Sequence, residues 1–303
     1  MHLRFLAGIF DSEGTVSLTP GGNSVIKCGL CDEYIPFVFA GRFGGSVNTR
    51  KREKLRDFVE WNCLKINQRK FITEILPFTL TKKPQLLLLQ KYLSMDRKNR
   101  RKNRKEFCHL IAQEKVPKTE TRESINVPTE KVPSEEFFQW FAGFMEGDGS
   151  FCAWESKTLN TKKPSFSISI EAANCQPETI KYIKHHLEGY IGINRQNKHI
   201  VWKWICSNHH YMHVLSRLFP YLVSKQKQCS LLMEMRTIMT SRKRKPLGRG
   251  IGFGTKGGWG NPEFLYTQEE VSRIRSIICE VKTLHRTSFK SPSAMQPLGS
   301  LVD

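Results

Sequence analysis

Two short apolar segments, 135 residues apart, each end in two acidic residues and a glycine. They are Leu6–Gly14 and Phe141–Gly149, and their last acids are Glu13 and Asp148. The apolar runs predict helices, and each terminal glycine predicts a left-handed cap that ends its helix. Because a helix C-terminus already carries partial negative charge, carboxylates there cost stability. Glu13 and Asp148 therefore indicate a function other than helix formation, and binding of a cation is the simplest one.

Small residues occupy the middle of both segments, where Gly8 and Gly143 each follow an alanine. Without bulky side chains, the two predicted helices can pack with their backbones close together, which brings Glu13 and Asp148 side by side. Neighbouring carboxylates repel each other unless a cation lies between them. Hard cations such as Mg²⁺ prefer oxygen ligands and keep several waters. Such a site supports hydrolysis of a phosphodiester by a metal-activated water.

Two lysines recur in the same manner. Lys82 and Lys225 each follow a Pro-aromatic dipeptide and precede a glutamine by three residues. A lysine near a metal-bound water can support proton transfer or hold the phosphate. For either residue alone, a solvated lysine at the start of a helix is the alternative interpretation, and the recurrence favours a function in the site.

The recurrence belongs to a wider internal repeat. Trp61–Leu89 aligns without gaps with Trp204–Leu232, and seven of the 29 positions are identical. Each repeat has the predicted element order αββαββα, and clean period-two alternation, as in Phe166–Ile170, predicts antiparallel strands. We therefore predict an α+β fold of two pseudo-symmetric repeats.

The repeat divides the chain into four predicted regions. Residues 1–111 form the first repeat, and residues 112–133, rich in Pro, Thr, Glu and Lys, form a linker. Residues 134–240 form the second repeat, whose motif helix we expect Ser134 to cap. Residues 241–303 form a basic, Gly-rich extension with one helix, predicted at Thr267–Lys282 from its apolar stripe.

The amino-acid composition limits the classes of molecule that the protein is expected to bind. The 303-residue chain has a net charge of +20 and a pI near 9.7, which implies a polyanionic partner, usually nucleic acid. A membrane partner is disfavoured because no apolar run approaches the length of a spanning helix. The nine cysteines are scattered and odd in number, which predicts reduced thiols in an intracellular protein.

The predicted strands supply candidates for reading DNA, because a two-stranded ribbon fits the major groove. For any single residue, a solvated sheet face is the alternative. The basic runs Arg97–Lys105 and Arg242–Lys245 are expected to contact phosphates or simply to be solvated. The candidate DNA-binding residues on the strands are Lys27, Arg50, Lys51, Ser165, Ser167, Ser169, Glu171 and Lys203.

Over about residues 1–240 the chain resembles the single-chain, two-repeat LAGLIDADG homing endonucleases, on the two motif segments taken together. The resemblance implies saddle-shaped antiparallel sheets over DNA, with the motif helices at the repeat interface. It implies that Glu13 and Asp148 bind Mg²⁺, for which Mn²⁺ or Ca²⁺ can substitute in binding. The backbone carbonyls of Ser12 and Gly147 are implied as further ligands.

The resemblance also assigns the remaining catalytic candidates. Lys82 and Lys225 match basic residues that the family places near the scissile phosphates. A polar side chain at a strand end often joins them, and Asn174 is expected to take this role in the second repeat. In the first repeat the sequence leaves Cys28, Cys31 and Asp32 open. Glu13 departs from the family's usual Asp, which makes the two half-sites unequal.

The implied function is that of an intron-encoded, site-specific double-strand DNA endonuclease. It would act as a monomer on an asymmetric target of roughly 20 bp, about two helical turns, and leave staggered 3′ overhangs. An RNA maturase that binds intron RNA is the alternative, and a DNA-binding regulator on the same fold is disfavoured by the retained acids and lysines. The expected location is an organelle (chloroplast or mitochondrion) or the bacterial cytoplasm.

Overall fold

The structure is a computed structural model that describes residues 1–51, 57–115, 133–156, 164–196, 199–207, 211–241 and 266–286. The helices in these ranges are α1 (Leu3–Glu13), α2 (Tyr34–Phe43), α3 (Gln68–Ile75), α4 (Lys83–Ser94), α5 (Arg97–Gln113), α6 (Glu135–Asp148), α7 (Pro177–His186), α8 (Tyr211–Leu218), α9 (Gln226–Thr240) and α10 (Gln268–Arg286). The strands are β1 (Gly14–Leu18), β2 (Ser24–Leu30), β3 (Ser46–Arg50), β4 (Phe58–Asn62), β5 (Gly149–Ser156), β6 (Ser165–Asn174), β7 (Tyr190–Gln196) and β8 (His199–Ser207). None of the described helices is long and apolar enough to span a membrane.

The strands form two four-stranded sheets with the same topology. The orders are β1-β2-β4-β3 and β5-β6-β8-β7, and every neighbouring pair is antiparallel. In β1 and β2 alternate residues are buried on the side that faces the helices, as expected of sheets with one covered face. The predicted α+β fold of two pseudo-symmetric repeats is confirmed.

The two motif helices, α1 and α6, pack against each other at the repeat interface. They approach most closely at their central glycines. A Cβ atom on Gly8 would lie 1.9 Å from the carbonyl oxygen of Trp140, and one on Gly143 would lie 1.9 Å from that of Phe5. Since both obstacles are backbone atoms, only glycine permits this approach, as the small residues predicted.

The capping predictions have different outcomes at the two ends of the motif helices. Ser134 caps α6 as predicted, because its hydroxyl accepts a hydrogen bond from the Phe137 amide at 3.2 Å. The left-handed caps are wrong. Gly14 (φ −70°) and Gly149 (φ −91°) are both extended and begin the next strand. Glycine is needed there for space, since a Cβ on Gly14 would lie 2.2 Å from the Phe10 carbonyl oxygen.

Helix α5 was not predicted, because its basic N-terminal half masks the short apolar stripe of Phe107 and Ile111. It is capped by Asp96, whose carboxylate accepts from the Asn99 amide at 2.9 Å, and it packs on α4 and β1. Its last residues, 112–113, lie in the predicted linker, so the helix extends past that boundary.

Helix α10 takes the corresponding place in the second repeat, on α9 and β5. Its Arg273 forms an ion pair with Glu234 of α9 at 2.6 Å, and Arg275 forms one with Glu155 of β5 at 2.8 Å. The sequence alignment ended the second repeat at residue 240, whereas the structure places α10 as the counterpart of α5. Ile274, Ile277 and Val281 of α10 are buried in the hydrophobic core together with residues of the second repeat. The division of the chain into four regions stays a prediction.

Candidate metal centre and nucleic-acid interface

The crossing of α1 and α6 brings Glu13 and Asp148 to one place, at adjacent helix ends. A Cβ on Gly147 would lie 2.3 Å from the Ser12 hydroxyl and 2.6 Å from Cγ of Glu13. Both carboxylates are half-buried. Burial raises the pKa of Glu13, against the charges of nearby lysines. Burial and then the charge on Glu13 raise the pKa of Asp148 to about 7, as expected for crowded carboxylates.

A cleft of about 400 Å³ opens at this position and is lined by residues of both repeats. Ser12, Thr15 and Lys82 come from the first repeat, and Asp148 and Asn174 from the second. Asn174 donates a hydrogen bond from Nδ2 to Oδ2 of Asp148 at 2.9 Å. Its own Oδ1 accepts from the amide two residues on at 2.8 Å, which fixes the orientation of the side chain. Asn174 therefore holds the Asp148 carboxylate in the second half of the site.

Strand register identifies the first-repeat counterpart of Asn174. Gly14 pairs with Cys28 as Gly149 pairs with Ala172, so the residue two positions further along β2 is Leu30. Leu30 is buried and cannot hold a carboxylate. None of the three candidates left open occupies the position, because the sequence could not fix the register.

Two of those candidates have other environments, and the third has no assigned role. Cys28 faces the core and is buried. Oδ1 of Asp32 accepts a hydrogen bond from the Ile35 amide at 3.0 Å, at the start of α2. Cys31 is partly exposed in the turn between them. The amide that orients a motif carboxylate is therefore present in one half of the site only.

The two matched lysines differ. Nζ of Lys225 donates to the carbonyl oxygens of Met145 (2.7 Å), Gly147 (3.2 Å) and Gly149 (2.7 Å). It thus satisfies carbonyls that the end of α6 leaves without intrahelical partners. Lys82 lines the cleft, and its side chain has no hydrogen bond or ion pair with any residue in the described ranges. Only Lys82 is available to a ligand without losing a contact of this kind.

The first acid of each motif, which the sequence interpretation passed over, holds the loop that carries the matched lysine. Asp11 is fully buried, and its carboxylate accepts from the amides of Leu80 (2.7 Å) and Lys82 (2.9 Å) and from Nε1 of Trp140 (3.0 Å). Burial, the largest effect, raises the pKa of Asp11 to about 6 although all three bonds lower it.

Glu146 does the same in the second repeat. Its carboxylate accepts from the Val223 amide at 2.5 Å and from the Ser224 hydroxyl. Val223 and Ser224 align with Leu80 and Thr81 at the offset of the repeat. The presence of two acids in both motif copies was the signal for this role, since a metal site accounts for only one acid of each.

We expect Asp11→Ala to lower the free energy of unfolding by about 3 kcal/mol or more, because three buried or half-buried donors lose their acceptor and each unmet group costs about 1–3 kcal/mol. Denaturant unfolding measures this change. Asp96→Ala is the control, since it removes a fully exposed helix cap and should cost much less than Asp11→Ala. Equal losses for the two variants would contradict the role of Asp11.

A second feature that sequence interpretation missed is the segment after α5. The carbonyl oxygen of Glu114 accepts from Nε2 of Gln85 at 3.3 Å and from Nε2 of Gln176 at 3.4 Å. One glutamine belongs to each repeat, so this carbonyl joins them across the cleft. The next residue, Lys115, lines the cleft. Burial, and then the charge on Lys82, lower its pKa, so two lysines share the site.

The open faces of the two sheets carry ion pairs of opposite polarity. Nζ of Lys27 on β2 lies 2.7 Å from Glu60 on β4, and Arg50 lies 3.2 Å from the same carboxylate. At the equivalent positions of the second sheet, Glu171 on β6 lies 3.4 Å from Nζ of Lys203 on β8. The pairing is retained and its charges are exchanged, so the two faces offer different groups to a ligand.

The predicted polar stripe of β6 is only partly accessible. Ser165 is exposed and Ser167 half-buried, but Ser169 is 2% exposed and donates to Glu171 at 3.1 Å. Ser169 is therefore less accessible than Ser165 to a ligand on the open face, and its contact with DNA stays a prediction. Lys51 is exposed. Trp154, opposite Ser167 on the open face, is 40% exposed and had no predicted role.

Some sequence-based interpretations fall outside the described residues. They include the basic run Arg242–Lys245, most of the linker and most of the C-terminal extension. For the rest, the cleft joins Ser12, Lys82, Asp148 and Asn174 directly, and Glu13 and Gly147 adjoin it. The predicted strand residues lie on the sheets, apart from the cleft.

The donor set fits a hard divalent cation. Burial, and then the charge on Glu13, raise the pKa of Asp148, and a cation between the two carboxylates would offset both effects. The cleft is large enough to keep waters beside carboxylate ligands, as Mg²⁺ requires. Lys225 already occupies the Gly147 carbonyl, so this predicted ligand would have to be shared with the ammonium group.

No family model matches the sequence, whereas solved structures do match the fold. I-SmaMI bound to an uncleaved DNA target in the presence of calcium ions is similar with a TM-score of 0.62 and 15% identity, over 93% of this chain and 99% of that chain. The I-SmaMI LAGLIDADG homing endonuclease bound to cleaved DNA gives 0.61 and 16%, over 92% and 96%.

The LAGLIDADG meganuclease I-AabMI bound to uncleaved DNA gives a TM-score of 0.62 and 15% identity, over 91% of this chain and 98% of that chain. Identities this low establish a common fold rather than a common activity. With two matched sheets, a crossing of motif helices and almost complete coverage of each neighbour, the chain has the two-repeat fold of the LAGLIDADG homing endonucleases.

Proposed function

We propose that the protein is a metal-dependent, site-specific double-strand DNA endonuclease of the homing type. The observation that carries this proposal is the meeting of Glu13 and Asp148 at the helix crossing, in a cleft that also holds Lys82. Two carboxylates that can hold a divalent metal ion, together with a cationic side chain, are groups that support phosphodiester hydrolysis. The DNA-bound neighbours of the same fold support the choice of substrate.

The residues of the cleft divide the work of the proposed reaction. Glu13 and Asp148 would hold Mg²⁺, which supplies a water of lowered pKa and offsets phosphate charge when bound. Asn174 keeps the Asp148 carboxylate in place. The ammonium group of Lys82 would contact the phosphate oxygens. It has no competing hydrogen bond or ion pair in the described ranges. Asp11 positions Lys82 by holding its amide.

The open sheet faces would bind the duplex. A net charge of +20 supports binding to phosphates, and the exchanged polarity of Lys27–Glu60 and Glu171–Lys203 supports an asymmetric target. Both halves of the site come from one chain, so we propose a monomer. Staggered 3′ overhangs, an intron-encoded origin and an intracellular location remain predictions from the sequence.

The matched lysines should give opposite results when each is replaced by Met. We expect Lys82→Met to slow cleavage by about 100-fold, the typical contribution of a positioned proton-transfer or charge-stabilising group, with little change in stability. We expect Lys225→Met to lower the free energy of unfolding by about 1–3 kcal/mol, because buried carbonyls lose their donor. Single-turnover cleavage and denaturant unfolding of both variants measure this difference. If Lys82→Met lost stability while Lys225→Met did not, the two assigned roles would be wrong.

Cleavage of a randomised duplex library with Mg²⁺, followed by sequencing of the cut ends, tests the function. Recovery of one long asymmetric site with uniform staggered ends would support a homing endonuclease and identify its target. Folded protein that cuts nothing with Mg²⁺ or Mn²⁺ would exclude the endonuclease. Binding to structured intron RNA would then be measured, since the RNA maturase is the remaining alternative.

A further inference from the structure

A second cavity, remote from the cleft, lies at the far end of the first repeat, between the β1–β2 turn and helices α3, α4 and α5. Its volume is about 310 Å³. The cationic side chains that line it are Lys65, Arg69 and Arg100, and the hydroxyl-bearing side chains are Ser24 and Tyr92. Three cations around one cavity repel each other, so an anion bound among them would lower their electrostatic energy.

Carboxylates of the described residues do not neutralise these cations. Nζ of Lys65 donates to the side-chain oxygen of Asn23 at 2.8 Å, and Arg69 donates to the carbonyl oxygen of Leu93, and both acceptors are uncharged. Nε of Arg100 is shielded from solvent and has no hydrogen-bond partner within the described ranges. This nitrogen can therefore donate a hydrogen bond to an anion in the cavity without losing a contact in the described ranges.

The cavity is on the helical side of the sheet rather than on its open face. Ser24 faces the helices, where its hydroxyl donates to Oε1 of Gln68 at 2.6 Å, while Lys27 of the same strand faces the open side and pairs with Glu60. A duplex on the open faces would therefore leave this cavity free for another ligand.

The second repeat differs from the first at two positions that line this cavity. At the offset of the aligned repeats, Arg69 corresponds to Met212 and Tyr92 to Met235. Met235 is buried, and Met212 packs against the core. At these two positions the second repeat has apolar side chains, so the fold does not require the cation of Arg69 for its packing.

We propose that the cavity binds a phosphate group. Two guanidinium groups offer forked donors that match tetrahedral oxyanions, and Lys65 adds a point charge. The volume exceeds that of a single phosphate, which leaves room for an attached sugar. The exposed basic side chains of α5 beside Arg100, at Arg97 and Arg101, continue the positive surface outside. The phosphate belongs either to a nucleic-acid backbone or to a free phosphate ion.

The test compares three variants that each lose one positive charge. Arg69→Met copies the residue of the second repeat. Arg100→Met removes the guanidinium group whose Nε has no acceptor in the described ranges. Arg101→Met is the matched control on the same helix, outside the cavity. Inorganic phosphate is titrated without divalent metal at constant ionic strength, and thermal unfolding and ³¹P line widths are followed. Circular dichroism confirms that each variant is folded.

Phosphate should raise the unfolding temperature of the natural protein saturably, because a ligand of the folded state stabilises it. Arg69→Met and Arg100→Met should bind phosphate at least about tenfold more weakly, the loss expected from one charge-assisted contact, and Arg101→Met should bind it normally. Equal responses in all three variants, or no saturable effect beyond that of chloride, would exclude the site. Arg69→Met keeps the test decisive should Arg100→Met fail to fold.

A second arm identifies the source of the phosphate. A short single-stranded oligonucleotide is added to phosphate-saturated protein. Displacement of phosphate from the natural protein and from Arg101→Met would assign the site to a nucleic-acid backbone. Retention of phosphate would assign it to free phosphate. Neither arm of the experiment measures DNA cleavage, so the phosphate site and the proposed endonuclease activity are tested independently.

Discussion

Asp148→Asn should abolish DNA cleavage and leave target affinity nearly unchanged. The amide retains the shape of the side chain and a hydrogen-bond acceptor but loses the charge that would hold a cation beside Glu13. A metal contributes several kcal/mol of transition-state stabilisation, and each 1.36 kcal/mol is tenfold in rate, so we expect a loss of at least about 10³-fold. Single-turnover cleavage and duplex binding in Ca²⁺ measure the two properties.

The control for this variant is Asn174→Leu, which copies the residue of the first repeat. It removes the hydrogen bond to Asp148 but keeps both carboxylates, and we expect a smaller loss of about 10–100-fold, typical of groups that orient a metal ligand. A fall in DNA affinity equal to the fall in rate for Asp148→Asn would contradict the assignment of Asp148 to the metal.

The same variant predicts a pH dependence in metal-free protein. The pKa of Asp148 is about 7 in the folded state against 3.8 as its ordinary value. Between these values the folded state binds more protons than the unfolded state, so stability contributed by this group falls as pH rises from about 4 to 7. Asp148→Asn removes this fall and should unfold at a higher temperature than the natural protein at pH 8.

Thermal unfolding with EDTA at pH 4 and pH 8 measures this effect. A difference of about 3 °C or more at pH 8 corresponds to roughly 1 kcal/mol in a chain of this size. The difference should shrink towards pH 4, where the carboxyl group is protonated in the folded state. Added Mg²⁺ should narrow the gap at pH 8, because only the natural protein gains a cation. An identical pH dependence for both proteins would mean that the pKa of Asp148 is not raised in the folded state.

Gly143→Ala should strongly destabilise the protein, because it adds a methyl group at the closest approach of α1 and α6. The new Cβ would lie 1.9 Å from the Phe5 carbonyl oxygen and 3.0 Å from the Ile9 amide nitrogen. Backbone atoms cannot move aside unless α1 and α6 separate, and this separation would also pull Glu13 away from Asp148. Overpacking of this kind costs about 3 kcal/mol or more, and denaturant unfolding measures it.

Gly41→Ala is the matched control, since it makes the same substitution inside a helix. A Cβ on Gly41 meets no atom within 4 Å, and alanine forms helices more readily than glycine by about 0.5–1 kcal/mol. We therefore expect a gain in stability of this size. Destabilisation of both variants by the same amount would show that helix propensity, rather than the crossing, governs the result at Gly143.

The sequence determined the architecture because its signals are local or repeat at fixed offsets. Apolar alternation and helical stripes identified most elements within a few residues, and the paired motifs with Gly8 and Gly143 predicted the crossing of α1 and α6. Glu13 and Asp148 followed from the same spacing, whereas Asn174 came from the resemblance to the LAGLIDADG family. Helix α5 escaped because seven basic residues in nine hide its short apolar stripe.

Only the tertiary structure decided how equivalent residues came to differ. Strand register makes Leu30 the first-repeat counterpart of Asn174. Lys225 donates to a carbonyl oxygen near the end of α6, whereas Lys82 lies in the cleft. Asp11 could not be assigned because its donors lie 69 to 129 residues away. Spacing along a chain specifies which side chains recur, but hydrogen-bond partners depend on distances in space that one-dimensional patterns do not contain.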